Sequence, residues 1–261
     1  SCGTNLQERC PNCGASVRAE QKFCRTCGHA VSAATALRAP VRTPKHLADQ
    51  FLKARIAAGG ERRRATMLFA DIAGSTGLVR DLDIEDANRV LECALSSMID
   101  VVNRWDGAVT HTAGDGFMAI FIAHEDHAAR ACFAALKMQE VFRGIAQKVR
   151  ADYGLLLQVR IGINSGPVLV KVLHLEGDVS IDCRAVGIST HVAARLERVA
   201  APDTILVTRE TLELTPGYFR ASEFWPITVK SIDHSIDVCE LKSGNIRMRM
   251  QAMALRGLSK F

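Results

Sequence analysis

Asp71 and Asp115 are the side chains that the sequence places best for chemistry. Asp71 closes the apolar run Met67-Leu68-Phe69-Ala70, and Ile72-Ala73-Gly74-Ser75-Thr76 follows it as a small-residue turn that opens a helix. Asp115 sits in His111-Thr112-Ala113-Gly114-Asp115-Gly116, directly ahead of the apolar run Phe117-Met118-Ala119-Ile120-Phe121. An acid at the tip of a strand beside glycine is fixed by the backbone yet open to a ligand. Two such acids suit a pair of hard cations, Mg²⁺ or Mn²⁺, which take oxygen ligands and can clamp a polyphosphate between them. Taken singly, each has a plainer reading: Asp71 as a helix cap and Asp115 as a turn residue.

A second chemical cluster lies near the start of the chain. Cys10, Cys13, Cys24 and Cys27 form two Cys-x-x-Cys knuckles, each followed by glycine (Gly14, Gly28). Four thiolates at this spacing are the ligand set of a tetrahedral structural Zn²⁺. A disulfide pair is the alternative, and a reducing compartment argues against it. Cys2-Gly3 repeats the rhythm of Cys27-Gly28, as if it closed an earlier ribbon that is not in this sequence. Cys93, Cys132, Cys183 and Cys239 are scattered and read as small core residues.

Of the 261 residues, 48 % are hydrophobic and 23 % charged, ordinary values for a folded soluble protein. No apolar run reaches the roughly 20 residues of a membrane span, so a cytoplasmic protein is expected. The net charge of +5 is uneven: residues 1–64 hold 12 Lys and Arg against 4 Asp and Glu, whereas residues 65–261 hold 21 against 24. The basic front can meet nucleic acid or acidic lipid, or be a solvated linker. Phe23 and Phe51 are its only aromatics, too few for base stacking, so nucleic acid is not an expected partner.

The elements that must position the acids follow from periodicity. Residues 1–30 read as a zinc ribbon and 31–64 as a linker with a transducer helix, capped by Thr43-Pro44 and striped by Leu47, Phe51, Leu52 and Ile56. Residues 65–242 alternate: a strand over 65–71, helices over 75–81 and 84–104, and strands over 107–112 and 116–122. A helix over 125–148 follows, then strands over 155–163 and 167–173 meeting at a tight turn, Asn164-Ser165-Gly166. A helix over 188–200 and strands over 204–208, 218–225 and 235–242 complete the set. Residues 243–261 read as a linker. Strands mixed with helices and hairpin-like neighbours predict an α+β sandwich of ferredoxin type.

Taken together, Leu68 to Thr76, Gly114-Asp115-Gly116, Ala123-His124-Glu125-Asp126-His127-Ala128, Gly162-Ile163-Asn164-Ser165-Gly166 and Ala193-Ala194-Arg195-Leu196-Glu197 resemble the catalytic domain of bacterial class III adenylate and guanylate cyclases, in the branch preceded by double zinc ribbons. The resemblance implies a lyase that makes cyclic AMP from ATP, releasing pyrophosphate, in a homodimer whose partner subunit completes each site. It implies that Asp71, Asp115 and the Ile72 carbonyl hold two Mg²⁺ or Mn²⁺ ions, and that the backbone of Gly74, Ser75 and Thr76 meets phosphate. Arg195 matches the arginine that steadies the α-phosphoryl group, although a helical Arg is also commonly solvated. Lys230, in Ile227-Thr228-Val229-Lys230, is a candidate for a further phosphate contact, although a lone strand-end Lys is more often solvated.

Three positions depart from the family pattern. His111 replaces a purine-reading Lys, His191 a ribose-orienting Asn, and Arg184 an Asp or Thr that accepts from the adenine amino group. Arg has only donors, so Arg184 suits O6 and N7 of guanine and keeps GTP open beside ATP. A degenerate domain that binds nucleotide or merely dimerises is the remaining reading. His124-Glu125-Asp126-His127 lacks the spacing of a zinc peptidase helix; acids near a helix start are explained by the helix dipole.

Overall fold

The computed structural model describes residues 8–9, 16–17, 61–122, 124–175, 178–182, 188–229 and 234–244. The four zinc-ribbon cysteines, the transducer stripe, Arg184, Lys230, Cys183 and the 245–261 segment lie outside them. The chain divides into two units, residues 1–40 and 41–261. In the first, β1 (Glu8–Arg9) pairs antiparallel with β2 (Ser16–Val17).

The second unit is built on β3 (Glu61–Ala73). It lies between β6 (Gln158–Leu175) and β5 (Gly116–Phe121), antiparallel to both. β4 (Ala108–Ala113) extends the sheet beyond β5. On the other side β6 runs parallel to β8 (Ile205–Thr208), followed by β11 (Ile236–Gly244) and β10 (Trp225–Ile227). β7 (Asp178–Asp182) pairs with β6, and β9 (Phe219–Ala221) with β11.

Both faces of β3 are covered, which is why its sequence is apolar without alternation. Leu68, Ala70 and Ile72 face a large core under α2 (Ile84–Arg104) and α3 (His127–Tyr153). Ala65, Met67 and Phe69 face the opposite side, toward Met118, Ile120 and Ala193. α2 follows its helical stripe, burying Ala94, Met98, Val101 and Val102, with Glu85 and Asp86 in its first turn and Arg104 in its last to complement the helix dipole. Gly154, left-handed at φ 71°, ends α3.

The predicted break at Asn164-Ser165-Gly166 does not exist. β6 runs unbroken through it, pairing these residues with Met67, Thr66 and Ala65. Their polar side chains serve the interior instead of a turn. Asn164 Nδ2 donates to the Ser189 carbonyl at 2.8 Å, and its Oδ1 accepts from Thr208 at 2.8 Å. Ser165 and Thr66 share a 2.7 Å hydroxyl bond. The predicted 218–225 strand is likewise two, β9 and β10, and a short helix α5 (Arg209–Glu213) follows β8.

The cysteines outside the ribbon divide by environment. Cys132 and Cys239 are buried, and burial raises both thiols, Cys239 to about 11. Cys93 is exposed, against the expectation of a core position. Among the described residues no helix is long and apolar enough to cross a membrane.

Candidate active site

The end of β3 delivers Asp71, and the β4–β5 turn brings Asp115 to it. Asp71 stands opposite Gly116 in the β3–β5 register, and the Ile72 N–H donates to the Asp115 carbonyl at 3.1 Å. The chain then turns at Gly74, whose φ of 92° suits glycine, into α1 (Ser75–Asp81). The buried Ser75 hydroxyl donates to Asp115 Oδ2. Gly74 and Thr76 flank it on the exposed side. Ser75 therefore orients an acid as well as supplying backbone.

Two residues that the sequence assigned no role complete this corner. Arg160 lies opposite Asp71 across the β3–β6 register, and its Nη2 donates to Asp71 Oδ2. The same nitrogen is 3.9 Å from Glu197 Oε1 on α4 (Ile188–Val199). α4 reaches the sheet because residue 162 is glycine: a Cβ there would collide with the backbone of Ala193 and Glu197. Burial, then the charge of Asp71, pushes the Glu197 carboxyl above its ordinary range; Arg160 and Arg198 pull it down, and Asp115 pushes it up again. Asp71 and Glu197 thus share Arg160, and the charge of Asp115 adds to theirs. That surplus of negative charge, together with an all-oxygen donor set, fits hard divalent cations. Among the described residues no group of three or more His, Cys, Asp or Glu side chains is placed to hold a metal ion by itself.

Of the other expected residues, His111, His191 and Arg195 are on the same face of the sheet but not at the same point. His111 is exposed on the edge strand β4, opposite Met118, which stands opposite Phe69, two residues before Asp71. A bulge between Val109 and His111 sets that orientation. His191 and Arg195 are four apart on α4, on its exposed side away from the buried Val192, Ala193 and Leu196. Ile188 and Val199, 58 % and 39 % exposed, continue the same stripe. Among the described residues neither Arg195 nor His191 bonds to Asp71 or Asp115. A cavity of about 620 Å³ at the other end of β3, lined by Arg62, Arg63, Arg64, Ile188 and Ser189, takes in none of Asp71, Asp115, His111, His191 and Arg195. Asp71 and Asp115 therefore lie outside that cavity.

His124 and His127 do not converge on a metal. His127 Nδ1 lies 2.7 Å from Thr66 Oγ1 inside the core, and His124 lies 3.6 Å from Asp106. Asp126 stands at the helix start as its cap residue and accepts from Arg130 Nε at 2.7 Å.

A family model for the adenylate and guanylate cyclase catalytic domain matches residues 60–241, and a zinc-ribbon domain model matches residues 9–31. Soluble guanylate cyclase subunit beta-2 of Rattus norvegicus is 27 % identical over 165 residues, 62 % of this chain and 23 % of that protein. The adenylyl cyclase CyaB of P. aeruginosa superposes with a TM-score of 0.65 at 23 % identity, covering 72 % of this chain and 97 % of that one. The guanylyl cyclase Cya2 does so with a TM-score of 0.65 at 26 % identity, covering 72 % and 95 %. The chain spans well under a third of the length of the curated relatives it matches.

Proposed function

This chain belongs to the adenylate and guanylate cyclase catalytic domain family, and from that footing we propose that it converts ATP to cyclic AMP and pyrophosphate in a homodimer. The observation that carries the reading is the pairing of Asp71 with Asp115 at one strand tip, locked by the Ile72 N–H and the Ser75 hydroxyl. In the reaction the ribose 3′-oxygen bonds to the α-phosphorus, the bond from that phosphorus to the β-phosphate bridge breaks, and the hydroxyl proton is lost to solvent. Asp71, Asp115 and the Ile72 carbonyl would hold two Mg²⁺ or Mn²⁺ ions, which when bound would supply charge neutralisation and lower the pKa of the attacking hydroxyl.

The chain's own groups do the rest by position. Asp71, Asp115 and the Ile72 carbonyl would be the ligands of those ions. Gly74, Ser75 and Thr76 turn their backbone around the phosphates. Arg160, beside Asp71, can turn spare donors to a phosphate oxygen. From the second copy, Arg195 steadies charge on the α-phosphoryl group and His191 meets the ribose. His111 and Arg184 read the base, and Lys230 adds a phosphate contact. The exposed stripe Ile188, His191, Arg195 and Val199 favours a partner surface there.

A second reading, GTP as substrate, is favoured by Arg184, which offers donors where adenine's amino group needs an acceptor. We further propose that Cys10, Cys13, Cys24 and Cys27 hold a structural Zn²⁺, a point that metal analysis of the purified protein decides. The test of the main reading is cyclic nucleotide and pyrophosphate release with Mn²⁺ and either ATP or GTP. Cyclic AMP formation that is lost in Asp71→Asn supports it. Nucleotide binding with no product from either triphosphate favours a degenerate, purely regulatory domain.

A further inference from the structure

Arg160 stands between two carboxylates from different parts of the fold. Its Nη2 serves Asp71 on β3 and lies 3.9 Å from Glu197 on α4. Its buried Nε has no acceptor among the described residues, so the guanidinium is engaged by fewer bonds than its donors allow. The three side chains are only partly open to water, at 22 % exposure for Asp71, 12 % for Glu197 and 29 % for Arg160. A divalent ion and a guanidinium repel each other, and they compete for the carboxylate of Asp71.

We propose that Arg160 is a resident counter-cation for Asp71 and that Glu197 is the acceptor to which it moves when a divalent ion takes Asp71. Metal binding at the strand tip thereby pulls on α4, two residues beyond Arg195. This rests on the two-metal reading above. In this metal step, before any nucleotide binds, Arg160 and Glu197 act as positioning residues: one vacates the ligand, and the other receives the charge that left it. In a homodimer α4 faces the partner's site, so the same swap tells one site that the other is loaded.

The test is Mn²⁺ binding by the full chain without nucleotide, followed by electron paramagnetic resonance of free Mn²⁺. The four proteins are wild type, Arg160→Met, Glu197→Gln and the double variant, with Asp71→Asn as blank. Arg160→Met should bind Mn²⁺ about fivefold more tightly, and Glu197→Gln about fivefold more weakly, while the double variant should match Arg160→Met. Amide exchange in α4 should slow on adding Mn²⁺ to wild type and not to Glu197→Gln. Should Arg160→Met fail to fold, Arg160→Gln takes its place in the cycle. An equal loss on Glu197→Gln in both backgrounds makes Glu197 a simple negative charge and overturns the swap alone. Wild type that binds no more Mn²⁺ than Asp71→Asn overturns the swap and the two-metal reading together.

Discussion

The two halves of the site differ in how completely one chain builds them. Around Asp71 and Asp115 the backbone register, the Ser75 hydroxyl and Arg160 fix every acid to a neighbour. Around His111, His191 and Arg195 the side chains are exposed, and neither His191 nor Arg195 meets the acids among the described residues. The contrast tells where a second surface is needed. A group preorganised within one chain can work as soon as its ions arrive, whereas a group on the outside of α4 can act only on something bound across an interface. In the matched family such an interface is between two copies, and we propose the same arrangement for this chain.

The most damaging change falls in the finished half. Asp71→Asn or Asp115→Asn should lower the cyclase rate by about a thousandfold or more while leaving the fold intact, as read from product formation beside circular dichroism. In the unfinished half, Arg195→Ala should cost about a hundredfold, mainly in kcat. Because its side chain is exposed on α4, its melting temperature should match that of wild type. A large loss of stability in Arg195→Ala would break the comparison, since it would mean that the helix surface is internally packed.

Smaller effects sharpen it from the scaffold side. Asn164 joins β6 to α4 and β8 through two hydrogen bonds. Asn164→Ala leaves the Ser189 carbonyl and Thr208 hydroxyl short of a partner and should cost about 1–3 kcal/mol, seen as a lower urea midpoint. The least change is with pH. Burial first, and then Arg64, lowers His127 below its ordinary value of 6.5, with Asp126 acting against them. The folded protein therefore holds fewer protons there than the unfolded chain. The stability His127 contributes is complete above pH 6.5 and is lost as pH falls through the lower folded value. Thermal melts between pH 7.5 and 5 should show that slope, reduced in His127→Gln.

The sequence carried the acids and their strands well, because an apolar run ending in Asp-Ile-Ala-Gly and a Gly-Asp-Gly turn are local signals. It carried α2 for the same reason, through a stripe from Val90 to Val102. It misled at Asn164-Ser165-Gly166, where turn-forming residue types turned out to be interior hydrogen-bonding groups on an 18-residue strand. Arg160 was overlooked, and Glu197 was quoted beside Arg195 without a role, because each is ordinary in its own element, a polar residue on a strand and an acid on a helix. Only the β3–β6 register sets Arg160 against Asp71, and only the glycine at 162 lets α4 bring Glu197 to it. A pairing forecast for these two strands is the signal that could have found them.

Complementation between two disabled chains tests the central claim most directly. Asp71→Asn lacks a metal acid, and Arg195→Ala lacks the group assigned to the opposite subunit, so each homodimer should be nearly inactive. Mixed in equal amounts and allowed to exchange, half the dimers should hold one intact site of two, giving about a quarter of wild-type activity. Cyclic nucleotide formation at about that level is the predicted result. A mixture no more active than its components, with exchange demonstrated by labelled subunits, would contradict a site shared between two copies.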